Sequence, residues 1–234
     1  KLSIINDLNN LLVLDLSYNN MNRKILLNLN ITRFKELKRL NLIRICLTLN
    51  DSIKFLDNFE SLEEFDISDN QFRNDDGIFM QNSLNLRVLK LRNCSLKVIN
   101  DSLLDLSRFI LLEYLDLSHN EIKKISVSRF LINLKFLNLS RNNIFSNSRI
   151  FWSLHYLDIS FNHLTSFTSL ITDNLLINNN NVKDICFADF KTSKFINFNN
   201  NKLKAFENLR CLNFWFLEPF FFIKYVKTYT YINI

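Results

Sequence analysis

From Leu112 the chain reads Leu112-x-x-Leu115-x-Leu117-x-x-Asn120-x-Ile122, with apolar residues at positions 1, 4, 6 and 11 and an amide at position 9. The same comb opens at Leu11, Leu37, Leu62, Leu86, Leu134 and Leu154. It returns in weaker form at Thr172 and Ser193, with a degenerate tenth copy at Leu209. The starts lie 26, 25, 24, 26, 22, 20, 18, 21 and 16 residues apart. Positions 4 and 6 alternate with polar residues, which predicts a short strand with one buried face. At position 9 an Asn can offer its amide to the backbone of a tight turn after the strand. Stacking the copies lays these amides side by side, a ladder that satisfies buried polar groups. Cys94 is a small alternative in that slot, whereas Ile45 is expected to leave a local defect.

A second comb runs ahead of the strands at a spacing of three. Ile31, Phe34 and Leu37 lead into the second copy, Leu56, Phe59 and Leu62 into the third, and Leu106, Phe109 and Leu112 into the fifth. Phe151, Phe190 and Phe206 hold the same slot, three residues before position 1. That spacing predicts helical or 3₁₀ turns facing the core, with stacked Phe rings forming a spine behind the sheet rather than a cofactor box.

The pattern resembles the leucine-rich repeat signature L-x-x-L-x-L-x-x-N/C-x-L. The resemblance implies an α/β fold: a curved solenoid with a parallel sheet on its concave face and helical or 3₁₀ turns and loops on its convex face. Residues 1–217 are then an array of about nine to ten repeats, and 218–234 a non-repeat apolar and basic tail. The 24–26 residue period, the Phe spine and the "LDLS" form are similar to the extracellular subclass found in Toll-like receptor ectodomains, chaoptin and Slit. Three features depart from it. No cysteine-rich cap precedes the first repeat, Cys211 stands alone near the other end, and repeats from Leu134 onward shorten to 16–22 residues, leaving little room for a convex helix.

In such an array positions 2, 3, 5, 7 and 8 are expected to project from the sheet. The second repeat then shows Lys38, Arg39 and Arg44, and the third Glu63, Glu64, Asp66 and Asp69. The fourth shows Arg87, Lys90 and Arg92, and the fifth Glu113 and Asp116. Signs alternate between neighbouring strands. The favoured reading is a lateral salt-bridge lattice, each pair worth ~0–1 kcal/mol; the other is a charged docking strip. Farther along, Tyr114, Phe136 and Tyr156 occupy position 3, with His119, Arg141 and Phe161 at position 8. Aromatics beside Arg and His have the composition of a partner-binding hot spot. The competing reading is that a chain with 23 Phe scatters aromatics everywhere.

Composition narrows the chemistry. One Gly and one Pro in 234 residues leave no glycine-rich phosphate loop and no dinucleotide fingerprint. Of the net +6, most comes from seven basic against two acidic residues after Asp189, so no continuous basic face for nucleic acid is visible over most of the chain. The four cysteines form no C-x-x-C pair, so neither a metal site nor a disulfide-dense scaffold is expected. His119, His155 and His163 come with no nucleophile or ligand spacing. No enzyme activity and no cofactor are expected.

Glycosylation sequons at Asn30, Asn50, Asn93, Asn100 and Asn138 are about what so Asn-rich a chain produces by accident. The chain starts at Lys1 and is expected to be a fragment or a processed product. In the tail, Trp215 and Phe216 would be the anchors if it caps the last repeat. Its apolar runs are too short for a membrane helix, so membrane association would come only through regions outside this chain.

The expected function is non-enzymatic recognition of a protein partner through the concave face, within a cell-surface or secreted receptor or adhesion protein. The alternative is a cytoplasmic scaffold or regulatory subunit of an enzyme. The strand phase carries a test of its own. Leu137→Ala should cost ~2–5 kcal/mol in denaturant melts, while Phe136→Ala and Tyr156→Ala should leave stability almost unchanged. Losses above ~2 kcal/mol at the two aromatics would place them in a core and overturn the phase.

Overall fold

The structure, a computed structural model, describes residues 10–21, 25, 31–47, 59–72, 83–97, 99, 106–124, 131–146, 153–167, 171–185 and 193–203. Leu56, Phe151, Phe190, Phe206, Asn30, Asn50, Asn100, the tenth copy and the tail lie outside those residues.

Every one of the nine repeats becomes a strand. They are β1 Val13–Asp15, β2 Arg39–Asn41, β3 Glu64–Asp66, β4 Val88–Lys90, β5 Tyr114–Asp116, β6 Phe136–Asn138, β7 Ser153–Asp158, β9 Ile171–Leu176 and β11 Phe195–Asn197. All pair in parallel, in sequence order, with position 3 opposite position 3 throughout, as in Tyr114↔Phe136 and Phe136↔Tyr156. The chain is a leucine-rich-repeat solenoid. Positions 4 and 6 face one side, where Leu40, Leu42, Leu115, Leu117, Leu137 and Leu139 are fully buried. Parallel sheets are ordinarily covered on both faces; here the other face stays open.

Behind the sheet, the three-residue comb forms successive i→i−3 turns. Ile31–Arg33 and Leu106–Arg108 are 3₁₀ helices, and the N–H of Phe34 and of Phe109 donates back to Ile31 and Leu106 at 3.1 and 3.2 Å. Phe34, Phe59 and Phe109 are buried, so the spine exists over the described repeats. Ser83 fills the slot in the fourth repeat, buried, with its hydroxyl donating to the Phe59 carbonyl at 3.1 Å. Where the repeats shorten, two short strands take over this side: β8 Ser166–Phe167 pairs in parallel with β10 Asp184–Ile185.

The turn after each strand is the most constrained part of the repeat. Position 8 has a left-handed backbone in all nine repeats, from Tyr18 (φ 58°) and Arg44 (φ 49°) through His119, Arg141 and Phe161 to Asn200 (φ 55°). Each left-handed non-glycine residue costs ~1–2 kcal/mol, less for Asn and Asp. The conformation persists because the position 8 N–H still donates to the next repeat, His119 to Ser140 and Arg141 to Ser160, both at 2.9 Å, while the chain reverses inward.

That reversal aims position 9 at the core. Asn120 Nδ2 donates to Leu117, to Ser118 and to Leu91 of the preceding repeat. Its Oδ1 accepts the N–H groups of Cys94 and Leu96, also in the preceding repeat. Asn70, Asn142, Asn162, Asn180 and Asn201 bridge their neighbours in the same way.

The defect expected at Ile45 is absent, and the Cys94 repeat shares the reason. Cys46 (φ 64°) and Ser95 (φ 59°), each immediately after the substituted residue, are left-handed as well. This turns the backbone carbonyls of Ile45 and Cys94 inward, where they accept the N–H of Met21 and Phe72 at 3.1 and 3.0 Å. Those are the same position 11 donors that an Asn Oδ1 receives elsewhere. Cys94 goes further. Its thiol donates to Ile67 and Arg92 carbonyls, standing in for Nδ2, and burial pushes its pKa up to about 12, so it keeps the proton it donates.

Position 7 corrects the expected display. Ser68, Ser118, Ser140 and Ser160 are buried rather than projecting. The N–H of each is capped by the position 5 side chain: Asp66, Asp116, Asn138 or Asp158. Asp116 is itself buried by this turn-down, so it is not on the displayed surface. The "LDLS" form is thus a capping device, in which Asp or Asn satisfies a donor two residues on.

The ladder predicts an order of stabilities. Asn120→Ala strands two buried N–H groups and three carbonyls and should cost ~3 kcal/mol or more in urea melts. Cys94→Ala should cost ~2 kcal/mol or less, because the backbone carbonyl already serves Phe72. Equal losses would show that the backbone of the fourth repeat does not replace the side-chain oxygen.

Candidate recognition face

On the open face each position forms a column across the strands, with neighbours about 4.8 Å apart. The position 2 column is a chain of ion pairs. Lys38 Nζ meets Glu63 at 2.9 Å, and Glu113 holds Arg87 and Lys135 on its two oxygens, each at 2.6 Å. Lys194 meets Asp173 at 3.3 Å. Arg39 meets Glu64 at position 3 and Lys90 meets Asp66 at position 5, at 3.2 and 3.5 Å. The lateral lattice is therefore present. The hydrogen bond from Lys38 holds the Glu63 carboxyl below its ordinary range, with the charges of Lys38, Arg87 and Arg39 adding to it. Hydrogen bonds from Lys135 and then Arg87 do the same to Glu113. Of the proposed strip, Arg44 and Arg92 form no salt bridge among the described residues.

Beside the lattice the position 3 column changes character. Tyr114, Phe136 and Tyr156 line up with ring centroids 6.1 and 6.3 Å apart, and His155 stacks on Phe136 at 6.4 Å. Phe136 is exposed, whereas Tyr114 and Tyr156 are half-buried against the column. Burial raises both phenol pKa values, with Asp116 and Asp158 next in effect. At position 8, the Arg141 guanidinium lies 4.2 Å over the Phe161 ring, and both residues are exposed. His119 sits one repeat earlier, half-buried. Burial lowers its pKa first, then Arg92 and Arg141, against an opposite pull from Asp116 and Asp69.

All six aromatic-patch residues thus lie on one face, in two columns. Sequence reasoning missed the stacking of His155 on Phe136, although His155 shares the face at position 2 and the repeat alignment could have found it. Near the position 2 rim, Glu36, Lys38, Ser61, Glu63, Asn85, Arg87 and Leu111 line a shallow polar depression. No group of three or more His, Cys, Asp or Glu that could hold a metal ion occurs among the described residues. Among them, no helix is long and apolar enough to cross a membrane.

Comparison with known proteins agrees with the architecture. A family model of leucine-rich repeats in two copies matches residues 110–151. Lumican of Gallus gallus is 35% identical over 39% of this chain, and human lumican 32% identical over 39%. The matched part spans 31% of the length of the Gallus gallus protein. Among solved structures, the leucine-rich repeat domain of APL1B superposes with a TM-score of 0.69 at 16% identity, covering 86% of this chain and 60% of that one. An internalin (inlF) from Listeria monocytogenes gives 0.61 at 20% identity, covering 89% and 66%. TLR13, in its complex with ssRNA13, gives 0.60 at 20%, covering 89% and 35%. The chain has the leucine-rich-repeat fold, and residues 110–151 match the family model of that repeat.

The ion-pair column sets a pH dependence. Because Glu63 and Glu113 have lowered pKa values when folded, their stabilisation is full above the unfolded carboxylate value near 4.5 and fades as the pH falls through the lower folded one. Glu63→Gln with Glu113→Gln should flatten that acid limb of the stability curve and weaken its salt dependence. An unchanged limb would show that these two carboxylates do not set the acid sensitivity.

Proposed function

We propose that this chain is a non-catalytic recognition module that binds a protein partner through the open face of its sheet, over β5 to β7. The observation carrying this reading is the Tyr114–Phe136–Tyr156 column, with Phe136 left exposed at its centre. The core already owns positions 4 and 6, so that ring is not needed to fill it. Aromatic residues beside Arg are the residue types that anchor protein interfaces. The likeness to solved repeat structures, one of them the LRIM1/APL1C complex, supports a binding role for such an array. TLR13 is seen with an RNA, so the case against nucleic acid here rests on the mixed charge of this face rather than on the fold. On the same reading, residues 1–217 act as the array and 218–234 as a separate tail.

The repeat form and the match to lumican support an extracellular or cell-surface setting, in a receptor or adhesion protein. One observation favours the cytoplasmic alternative: Cys46 and Cys94, the cysteines within the described residues, are both free thiols.

Site-specific cross-linking separates these readings. A photoreactive p-benzoylphenylalanine replaces either Phe136 or Ile132, which is exposed on a loop away from the column. The chain is then offered to cell-surface and cytosolic fractions of its source cells. A discrete protein adduct at 136 and none at 132, from the surface fraction, is the expected result. An adduct only from cytosol moves the chain to the alternative. Equal labelling at both positions removes the face from the function.

A further inference from the structure

The two rims of the open face differ in how their charge is answered. At the position 2 rim the cations are neutralised by neighbouring carboxylates, Arg87 and Lys135 by Glu113. At the opposite rim Arg92, His119 and Arg141 come from three consecutive repeats, and no salt bridge engages either Arg among the described residues. The nearby carboxylates keep their charge but make their direct hydrogen bonds to neutral donors, not to either guanidinium. Asp69 accepts the Asn93 amide at 2.7 Å, and Asp116 and Asp158 cap Ser118 and Ser160. Arg141 is held over Phe161, which orients the guanidinium without cancelling its charge.

The distance to the aromatic column sets the shape of an occupant. Arg92 stands at position 7 and His119 and Arg141 at position 8, four to five residues beyond position 3, so the span is at most about 16 Å of extended chain. Between them Asn138 and Asp158 are half-buried, and their oxygens suit the N–H and hydroxyl donors of a peptide. Resting on the reading of this face as a protein-binding surface, we propose that its occupant is an extended acidic protein segment. A carboxylate of that segment sits on Arg92, His119 and Arg141, and an apolar or aromatic side chain about five residues away covers Phe136.

Binding then couples to protonation. The charged and titratable groups around His119 are Asp69 in the turn after β3, Arg92 after β4, Asp116 on β5 and Arg141 after β6. Burial and the two guanidinium groups favour neutral imidazole in the free chain. A bound carboxylate favours imidazolium, so the complex takes up a proton and tightens as the pH falls from neutrality.

A random dodecapeptide library displayed on phage, selected against the full chain at pH 6, tests this. The expected pool is enriched in Asp or Glu about five residues from an aromatic. Replacing that carboxylate by its amide should weaken a synthetic peptide about tenfold, as should Arg141→Ser. Affinity should rise several-fold from pH 8 to 6, and His119→Gln should abolish that rise. Phe136→Ser should weaken every selected peptide, with melting curves confirming that each variant folds. Peptides lost on Phe136→Ser but indifferent to the carboxylate and to Arg141→Ser would overturn the acidic segment while leaving the face as a binding surface. Peptides indifferent to Phe136→Ser, or an empty selection, would sink both. Tight, Arg141-dependent binding of oligouridylate would replace the protein segment with single-stranded RNA.

Discussion

The side-chain amide at position 9 is the interaction on which the remaining structure depends. It is buried, and it answers backbone groups in two repeats at once. Asn142 donates to its own Leu139 and Ser140 and to Leu117 of the repeat before, and accepts the N–H of Ile122. An isolated repeat would therefore leave buried donors and acceptors unanswered on both sides, each worth ~1–3 kcal/mol when orphaned. Stability then lies in the contacts between neighbours, the nearest-neighbour logic of repeat proteins. The left-handed residue at position 8 belongs to the same device. Its strain is tolerated because it directs the amide inward while its own N–H keeps the ladder to the next repeat.

With the turns held by Asn and the core by leucine, the open face is left with only its lateral ion pairs as a structural duty. It uses that freedom unevenly. Over β2 to β5 the charges answer one another across the strands and present little net field. Over β5 to β7 aromatic rings take position 3 while Glu113 and Lys135 still pair at position 2, and the far rim carries Arg92 and Arg141 with no salt bridge among the described residues. That unevenness is the ground on which the second half is proposed as the recognition surface.

Much of this was legible from spacing. The nine strands, their register, the buried leucines and the Phe34, Phe59 and Phe109 spine follow from the repeat alignment, because periodicity in sequence is periodicity in space once copies stack. The ion pairs were legible for the same reason, since aligned positions become lateral neighbours. What spacing cannot encode is backbone conformation. Ile45 reads as a gap in the ladder, yet a rotation at Cys46 brings a main-chain carbonyl into the vacant place. Ser118 and Asp116 read as displayed residues, yet an Asx cap folds both beneath the surface. Tyr114 and Tyr156 read as exposed, and are half-covered because neighbouring rings in one column pack on each other.

The shortening of the later repeats shows which part of the unit is free to vary. Between Leu86 and Thr172 the spacing falls from 26 residues to 18, yet position 3 stays opposite position 3 at every step. The lost residues come from behind the sheet, where the 3₁₀ turn of the fifth repeat gives way to the β8–β10 pair. Strand spacing is dictated by backbone hydrogen bonds and by the amide bridging two turns, neither of which involves the back of the repeat. Deletions there leave the position 3 and position 8 columns of the open face in line. The face can therefore be held constant while the back is remodelled, and residues at positions 3 and 8 can change while the fold is held constant.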